Sequence, residues 1–221
     1  MTPEIWAITR FTVLMALTAT ALVLPPAIAI GWLLARRKFF GKALLETIVS
    51  LPLVLPPVAS GLLLLWLFGQ RSPIGRALDA AGIEVIFTWK AVVIAMMVIS
   101  FPLVTRSVRA GIEQVDRRYE DIAATLGAGT LRILRTITLP LASRGIAAGA
   151  VLGFSRALGE FGATIMVAGA IPGRTRTLAV GIYTLVETGR EDAAWGLLVV
   201  SAVLAFGAIF ISNRLTERGG V

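Results

Sequence analysis

The chain has 221 residues, of which 57% are hydrophobic and 15% are charged, whereas about 25% of the residues in an average soluble domain are charged. This composition excludes an ordinary soluble globular protein and predicts an integral membrane protein. The chain has no Cys and no His, which excludes disulfides, thiolate nucleophiles, zinc sites and imidazole acid–base catalysis.

Five stretches of the chain are long and apolar enough to cross a bilayer, since a spanning helix needs about 20 mostly apolar residues. They are residues 11–35, 43–68, 85–105, 145–171 and 193–212. We therefore expect an all-α integral membrane protein in which residues 1–221 form a single transmembrane domain. An odd number of spans places the two termini on opposite sides of the membrane.

The basic residues determine the expected orientation. The net charge of +8 comes from side chains between the apolar runs, so it indicates membrane topology and not nucleic-acid binding. With the N-terminus outside, thirteen Lys and Arg residues fall in inner segments and seven in outer segments. Because positive residues are retained on the cytoplasmic side, we predict a multi-pass protein of the cytoplasmic membrane, with its C-terminus in the cytoplasm.

The second span contains Pro52, Pro56 and Pro57. Proline removes a backbone donor and clashes with the preceding turn, so this span is expected to kink or break. Two interpretations stay open. The break is a moving gate, with Pro56 and Pro57 in a transport path, or it is a static kink of the kind common in membrane bundles.

Two outer connections, residues 70–90 and 172–192, carry short amphipathic patterns. Ile74 and Leu78 mark the first pattern, and Leu178, Ile182 and Leu185 mark the second. Each pattern predicts a short helix that lies along the outer surface.

The inner connection 113–140 is longer and more charged than a helical hairpin needs. Gly127 and Gly129 are expected to end a first helix, and a second helix, 130–138, is expected to end at Pro140. Lipid headgroups and a partner protein are both possible occupants of the first helix's apolar face. That face is predicted from a three- and four-residue spacing of Ile112, Val115, Tyr119, Ile122, Ala123 and Leu126.

The fourth span begins with a seam of small residues, Gly145, Gly149 and Gly153. Glycines at four-residue spacing lie on one face of a helix and allow a second helix to approach closely. Close helix packing is therefore expected along the first half of this span.

Ionisable and hydroxyl side chains follow this seam. Arg156 lies about 17 Å along a continuous helix from Gly145, near mid-membrane, and Glu160 and Thr164 continue at four-residue steps. Charged groups at that depth usually face a bundle interior or an aqueous path. Either Arg156 and Glu160 form an ion pair that fixes the bundle, or these residues and Ser155 line or gate a solute path.

The inner connection resembles the cytoplasmic loop of ABC importer permeases. In both, an acidic residue and alanines precede a glycine, and I-x-L-P follows after nine residues, here from Asp121 through Gly127 to Pro140. The chain departs from the family pattern in having Asp121 for Glu and Ile122 for the first Ala. The resemblance implies a type I importer permease fold, with about five spans and a coupling helix that seats in a cleft of a separate ATPase.

The residues that the resemblance assigns to ATPase docking are Glu120, Asp121, Ala123, Ala124, Leu126, Gly127, Ala128, Ile137, Leu139 and Pro140.

A narrower resemblance involves the fourth span. The sequence S-R-A-L-G-E-F-G-A-T-I-M, from Ser155 to Met166, is similar to that of the molybdate permeases of bacterial ABC importers. In sulfate and thiosulfate permeases a Tyr followed by Gly-Ser is expected where this chain has Phe161, Gly162 and Ala163. The resemblance therefore implies molybdate as the cargo, with tungstate inseparable from it.

The same resemblance implies a homodimer in membrane lipid, with two copies of an ABC ATPase and an extracytoplasmic molybdate-binding protein. The sequence has no G-x-x-x-x-G-K-[ST] loop and no acidic cluster for a metal, so we expect no cofactor and no catalytic residue in this chain. ATP and Mg²⁺ would bind to the partner ATPase. The alternatives are a sulfate or thiosulfate permease, or an ATPase-independent anion carrier or channel, which leaves the 113–140 connection without a purpose.

Overall fold

The structure, a computed structural model, describes residues 3–217, with side chains up to residue 214. Arg218, which was counted with the inner basic residues, lies outside the described part. The regular structure within that part is helical. Its helices are α1 (Pro3–Arg36), α2 (Lys42–Val54), α3 (Pro57–Phe68), α4 (Pro73–Ala80), α5 (Trp89–Glu113), α6 (Arg117–Thr125), α7 (Thr130–Ile133), α8 (Leu139–Leu158), α9 (Gly162–Ala168), α10 (Leu178–Glu187) and α11 (Glu191–Glu217).

Four of these elements are long and apolar enough to cross a membrane: α1, α5, the α7–α8 rod over Thr130–Leu158, and α11. The α2–α3 pair meets the same criterion only when its two helices are taken together, and the pair is bent by 111°, as in a broken span or a re-entrant loop. The break falls at Leu55 and Pro56, whose extended backbone separates the two helices. The predicted break of this span at its prolines is confirmed.

Helix α5 forms the centre of the bundle. Its side chains Met96, Ile99, Val104 and Val108 are buried, as expected for a helix that is apolar on all sides and covered by neighbours. Helices α1 and α8 cover it. On α1 a buried stripe of small residues faces the core, while large apolar side chains such as Leu17 are exposed on the opposite face.

The glycine seam of α8 packs against α5, as predicted. A Cβ atom added to Gly145 would lie 2.7 Å from the Cα atom of Gly111, and one added to Gly153 would lie 2.3 Å from a methyl group of Val104. These distances leave no room for a side chain, so the absence of a Cβ atom allows the two helices to approach each other.

The predicted continuous helix over residues 145–171 is wrong. Helix α8 ends at Leu158, and α9 begins at Gly162. The side chain of Glu160 takes part in this interruption, because its Oε1 atom accepts a hydrogen bond of 2.8 Å from the backbone N–H of Ala163. A carboxylate that accepts a backbone N–H at a helix start stabilises a new helix there.

The predicted helix with one apolar face from Ile112 to Leu126 is also wrong. Helix α5 continues to Glu113, and α6 starts separately, with Asp116 accepting a hydrogen bond of 2.9 Å from the N–H of Arg118. Ile112 and Val115 are buried beneath the loop, so they do not share a face with the residues of α6.

Pro140 does not end a helix, contrary to the prediction. A π turn over Leu134–Thr138 joins α7 to α8, and the N–H of Leu139 donates to the carbonyl of Leu134. Proline has no N–H to donate and crowds the carbonyl four residues earlier. A locally wider turn accommodates this crowding, so the rod continues through Pro140.

The two segments with amphipathic patterns form the short helices α4 and α10, as predicted. The start of α10 is attached to α1, because the N–H of Leu178 donates a 2.9 Å hydrogen bond to Oγ1 of Thr12. That hydroxyl in turn donates to the carbonyl of Ile8 at 2.8 Å. A buried threonine thereby satisfies two backbone groups within an apolar bundle.

Candidate functional site

Helix α6 is a short, separate element of the inner loop. It ends in a turn where Gly127 has φ +83°, a left-handed conformation that favours glycine. The N–H of Gly127 donates to the carbonyl of Ala124, and the N–H of Ala128 donates to that of Ala123, both at 3.0 Å. These two bonds make a Schellman motif, which satisfies carbonyls at the end of α6.

No residue of α6 is buried. The loop presents an apolar surface, here called the docking face, that consists of Tyr119, Ile122, Leu126 and Leu131, whose exposed fractions are 57, 60, 83 and 60%. Large exposed apolar surfaces commonly mark contacts with a protein or a membrane.

The residues that sequence reasoning assigned to docking fall into two groups. Asp121, Ala124, Leu126, Gly127 and Pro140 are exposed, whereas Glu120, Ala123, Ala128, Ile137 and Leu139 are partly buried. The carboxylate of Glu120 faces the protein, where its Oε1 atom accepts hydrogen bonds from Nε of Arg36 at 3.0 Å and from Oγ1 of Thr138 at 2.7 Å. Sequence reasoning took Arg36 only as a topology signal and did not single out Thr138.

A second candidate site lies where the break between α2 and α3 meets the break between α8 and α9. A Cβ atom on Gly162, at the start of α9, would lie 2.8 Å from Cβ of Pro57, at the start of α3. One turn further along α3, a Cβ atom on Gly61 would lie 2.8 Å from Cα of Ala163. The break made by Pro56 and Pro57 is thus held directly against the break that follows α8.

Arg156 and Glu160 form an ion pair at this junction, with 3.0 Å between Nη1 and Oε2. The Glu160 side chain is 1% exposed and the Arg156 side chain 32% exposed. A carboxylate removed from water needs such a partner, and the second oxygen of Glu160 is bonded to Ala163. Arg156 retains an exposed part, so its guanidinium can offer further N–H donors to an anion.

The junction lies at mid-depth of the bundle. A Cβ atom on Gly153 would contact Val104 and Ser100 of α5, which lie near the middle of that helix. Arg156 is almost one helical turn beyond Gly153. Arg156 therefore lies about one turn beyond the middle of α5, and its depth in a membrane stays a prediction.

Two buried hydroxyls on the facing helices, Ser60 of α3 and Thr164 of α9, have no hydrogen-bond partner within the described residues. Ser155, in contrast, donates to the carbonyl of Val151 at 2.8 Å. Sequence reasoning missed Ser60, because a single serine in an apolar run carries no periodic signal. Hydroxyl and guanidinium donors are suited to a transient oxyanion contact.

The described part of the chain brings together no group of three His, Cys, Asp or Glu side chains that could hold a metal ion.

The comparisons with known sequences agree with one another. The sequence model of the family described as "Binding-protein-dependent transport system inner membrane component" matches residues 27–218. The chain is 46% identical to the molybdenum transport system permease protein of Escherichia coli (strain K12), over 99% of this chain and 97% of that protein. It is 43% identical to the protein of the same name from Haemophilus influenzae, over 88% and 86% of the two chains. A sulfate transport system permease protein of Salmonella typhimurium is 34% identical, over 99% and 79%.

Solved structures show a shared fold. A bacterial ABC transporter involved in the import of alginate matches with a TM-score of 0.75 at 17% identity, over 99% of this chain and 80% of that chain. A methionine ABC transporter in inward-facing conformations matches with a TM-score of 0.70 at 18% identity, over 99% and 95%. At these identities the likeness concerns the fold alone, and it confirms the predicted fold class.

Proposed function

The chain belongs to the family of binding-protein-dependent transport system inner membrane components, and from this membership we propose that it is the permease subunit of an ATP-driven importer of molybdate. The main support for molybdate is the 46% identity to a molybdenum permease over almost the whole of both chains. The relative named for sulfate transport is less similar, at 34%. Tungstate is expected to share the path, because it is an oxyanion of the same shape and charge.

The energy for transport comes from a separate ATPase that binds the docking face. In support of this, Tyr119, Ile122 and Leu126, which belong to α6 and its C-cap, are more than half exposed. The permease itself hydrolyses no ATP and needs no cofactor, since ATP and Mg²⁺ bind to the partner. Two copies of the chain, two ATPase subunits and an extracytoplasmic binding protein make up the working transporter, with the N-terminus of the permease outside.

The solute passes between the two copies, near the junction of the broken spans. Arg156 supplies N–H donors there, and Glu160 keeps the guanidinium partly neutralised. Weak, shared donors suit a transport path, because a site that bound the ion tightly would trap it. Selectivity therefore resides mainly in the binding protein.

The proposed function is tested by uptake of labelled molybdate into proteoliposomes that contain the permease and the ATPase, with the binding protein added outside. We expect uptake that requires ATP inside and ceases when the ATPase subunit is omitted. Uptake that persists without the ATPase would instead identify an autonomous carrier or channel.

The cargo is tested by competition in the same vesicles. Unlabelled tungstate is expected to suppress molybdate uptake at concentrations similar to those of unlabelled molybdate, and sulfate only at much higher concentrations. Equal competition by sulfate would assign the chain to sulfate transport.

A further inference from the structure

A polar cluster joins the docking helix α6 to the ends of two transmembrane elements. Arg36, in the last turn of α1, donates from Nε to Glu120 at 3.0 Å and from Nη2 to the carbonyl of Val115 at 2.8 Å. Thr138, in the π turn, donates to the same oxygen of Glu120 at 2.7 Å. We call Arg36, Glu120 and Thr138 the clamp.

The clamp is shielded from water although it lies at the edge of the bundle. The side chains of Arg36 and Glu120 are 7% and 16% exposed, and Thr138 is 1% exposed. Ion pairs with little access to water are screened less than surface pairs, and breaking one leaves a charge without a partner. The clamp is therefore stiffer than a solvated salt bridge.

Helix α6 has few other connections to the bundle. A cavity of about 230 Å³ lies behind it, lined by residues that include Trp32, Ala124 and the clamp. Within the described chain, the side-chain hydrogen bonds that leave α6 come from Glu120 and Arg117, and Arg117 donates to the carbonyl of Ala35 at 3.1 Å. Helix α6 is thus tied to the end of α1 and to the π turn that leads into α8.

We propose that Glu120 is a positioning residue whose carboxylate, held between Arg36 of α1 and Thr138 of the π turn, makes the transmembrane helices follow the docking helix. This inference rests on the proposed function, in which an ATPase moves α6. Without the clamp, α6 would still seat on the ATPase through its exposed face. Its displacement would then be absorbed by the cavity behind it and would not reach α8 and the Arg156–Glu160 junction.

The experiment compares Glu120→Gln and Thr138→Val with wild type in the reconstituted transporter. Gln keeps the size of the side chain and removes its charge, and Val keeps the shape of Thr138 and removes its hydroxyl. We measure ATPase subunits retained per permease, ATP hydrolysis and molybdate uptake. We expect both variants to retain as many ATPase subunits per permease as wild type. For Glu120→Gln we expect the number of ATP molecules hydrolysed per transported ion to rise about fivefold or more, which is the lower end of typical coupling effects between sites. Thr138→Val should raise the ratio less.

The matched control is Glu4→Gln. Glu4 forms an ion pair of 3.4 Å with Arg176 at the opposite end of α1, far from α6. This variant should leave the ratio of ATP to transported ions unchanged. General destabilisation lowers the quantity of assembled transporter and both activities together, so it does not imitate a change in the ratio.

Three outcomes of the transport assay would overturn the inference: an unchanged ratio of ATP to transported ions in Glu120→Gln, loss of the ATPase subunit from that variant, or an equal rise of the ratio in Glu4→Gln.

Hydrogen exchange of the purified permease tests the clamp without any transport. The amides of α6 should exchange faster in Glu120→Gln and Thr138→Val than in wild type or Glu4→Gln. Failure of wild-type vesicles to take up molybdate would count against the proposed function, whereas unchanged exchange would count against the clamp alone.

Discussion

A single backbone angle determines where α6 ends. Gly127 has φ +83°, whereas Gly129, two residues later, has φ −72° and an extended conformation. An added Cβ atom meets no neighbour at either position. The two glycines differ in backbone conformation and in the hydrogen bond that the N–H of Gly127 donates to Ala124, and Gly129 therefore offers a control position for a substitution.

Gly127→Pro is expected to uncouple ATP hydrolysis from transport while the membrane domain stays folded. Proline cannot adopt φ +83° and lacks the N–H that donates to Ala124. Gly129→Ala, with an allowed φ, should behave like wild type in the same assay of ATP hydrolysed per ion. Wild-type uptake by Gly127→Pro would argue against a docking role for this turn.

Arg156 and Glu160 should show strong energetic coupling. Arg156→Ala leaves a buried carboxylate without its partner, and breaking a buried pair costs about 3–5 kcal/mol. Because Arg156 is one-third exposed, we expect the lower end of this range. Adding Glu160→Gln to Arg156→Ala should recover part of the loss, measured as the thermal stability of the purified permease. A double variant no more stable than Arg156→Ala would contradict the coupling.

At the scale of elements, the seam between α5 and α8 holds the bundle at its closest approach. Gly145→Leu would drive a side chain into the backbone of Gly111, because even a Cβ atom would lie 2.7 Å from its Cα atom. Overpacking of this kind costs typically about 1–3 kcal/mol. We expect a lower melting temperature and less folded protein in the membrane.

Gly207→Leu in α11 is the matched control for this seam, since nothing lies near a Cβ atom at that position. Both variants add the same side chain to a glycine within a spanning helix. If they are equally stable, the close approach of α5 and α8 does not limit the packing of the bundle.

The elements that could be predicted from the sequence are those with a local cause. Apolar length predicts the spans, Pro56 predicts the break after α2, and glycine spacing predicts the α8 seam. The start of α6 also had a local signal, the capping residue Asp116 before Arg117, but the continuing apolar spacing of Ile112 and Val115 obscured it.

The break between α8 and α9 had a local signal, because Gly159 ends α8 and Gly162 begins α9, but the apolar length of the segment outweighed it in the prediction. The interruption also depends on a side chain of that segment and on a neighbouring helix. Glu160 bonds to the backbone of Ala163, and α3 presses Pro57 against Gly162. The clamp was invisible, because its partners lie 84 and 18 residues apart in the chain.

At the scale of the whole molecule, the two ends of the bundle differ. One end carries α6 with its docking face, and the opposite end carries the short helices α4 and α10. Which end faces the cytoplasm follows from the bias of Lys and Arg alone. The absence of cysteine from the sequence allows this orientation to be tested without further engineering.

Asp79→Cys in α4 and Asp121→Cys in α6 provide the test, because both side chains are exposed. A membrane-impermeant maleimide applied to intact cells without an outer-membrane barrier should label position 79 and not 121. After permeabilisation both should react. Labelling of position 121 from outside would invert the proposed topology.

The π turn before α8 affects the directions in which the side chains of α8 point around the helix axis. Successive residues in an α-helix are separated by about 100° around the axis, so one extra residue in a turn changes the direction in which every later side chain points. The wide turn at Leu134–Thr138 thus determines the direction in which Arg156 points around the axis of α8, relative to the loop that contains Glu120. Deleting one residue there would restore the ordinary repeat and turn the glycines of the far half of the rod away from α5, even though each segment remained helical.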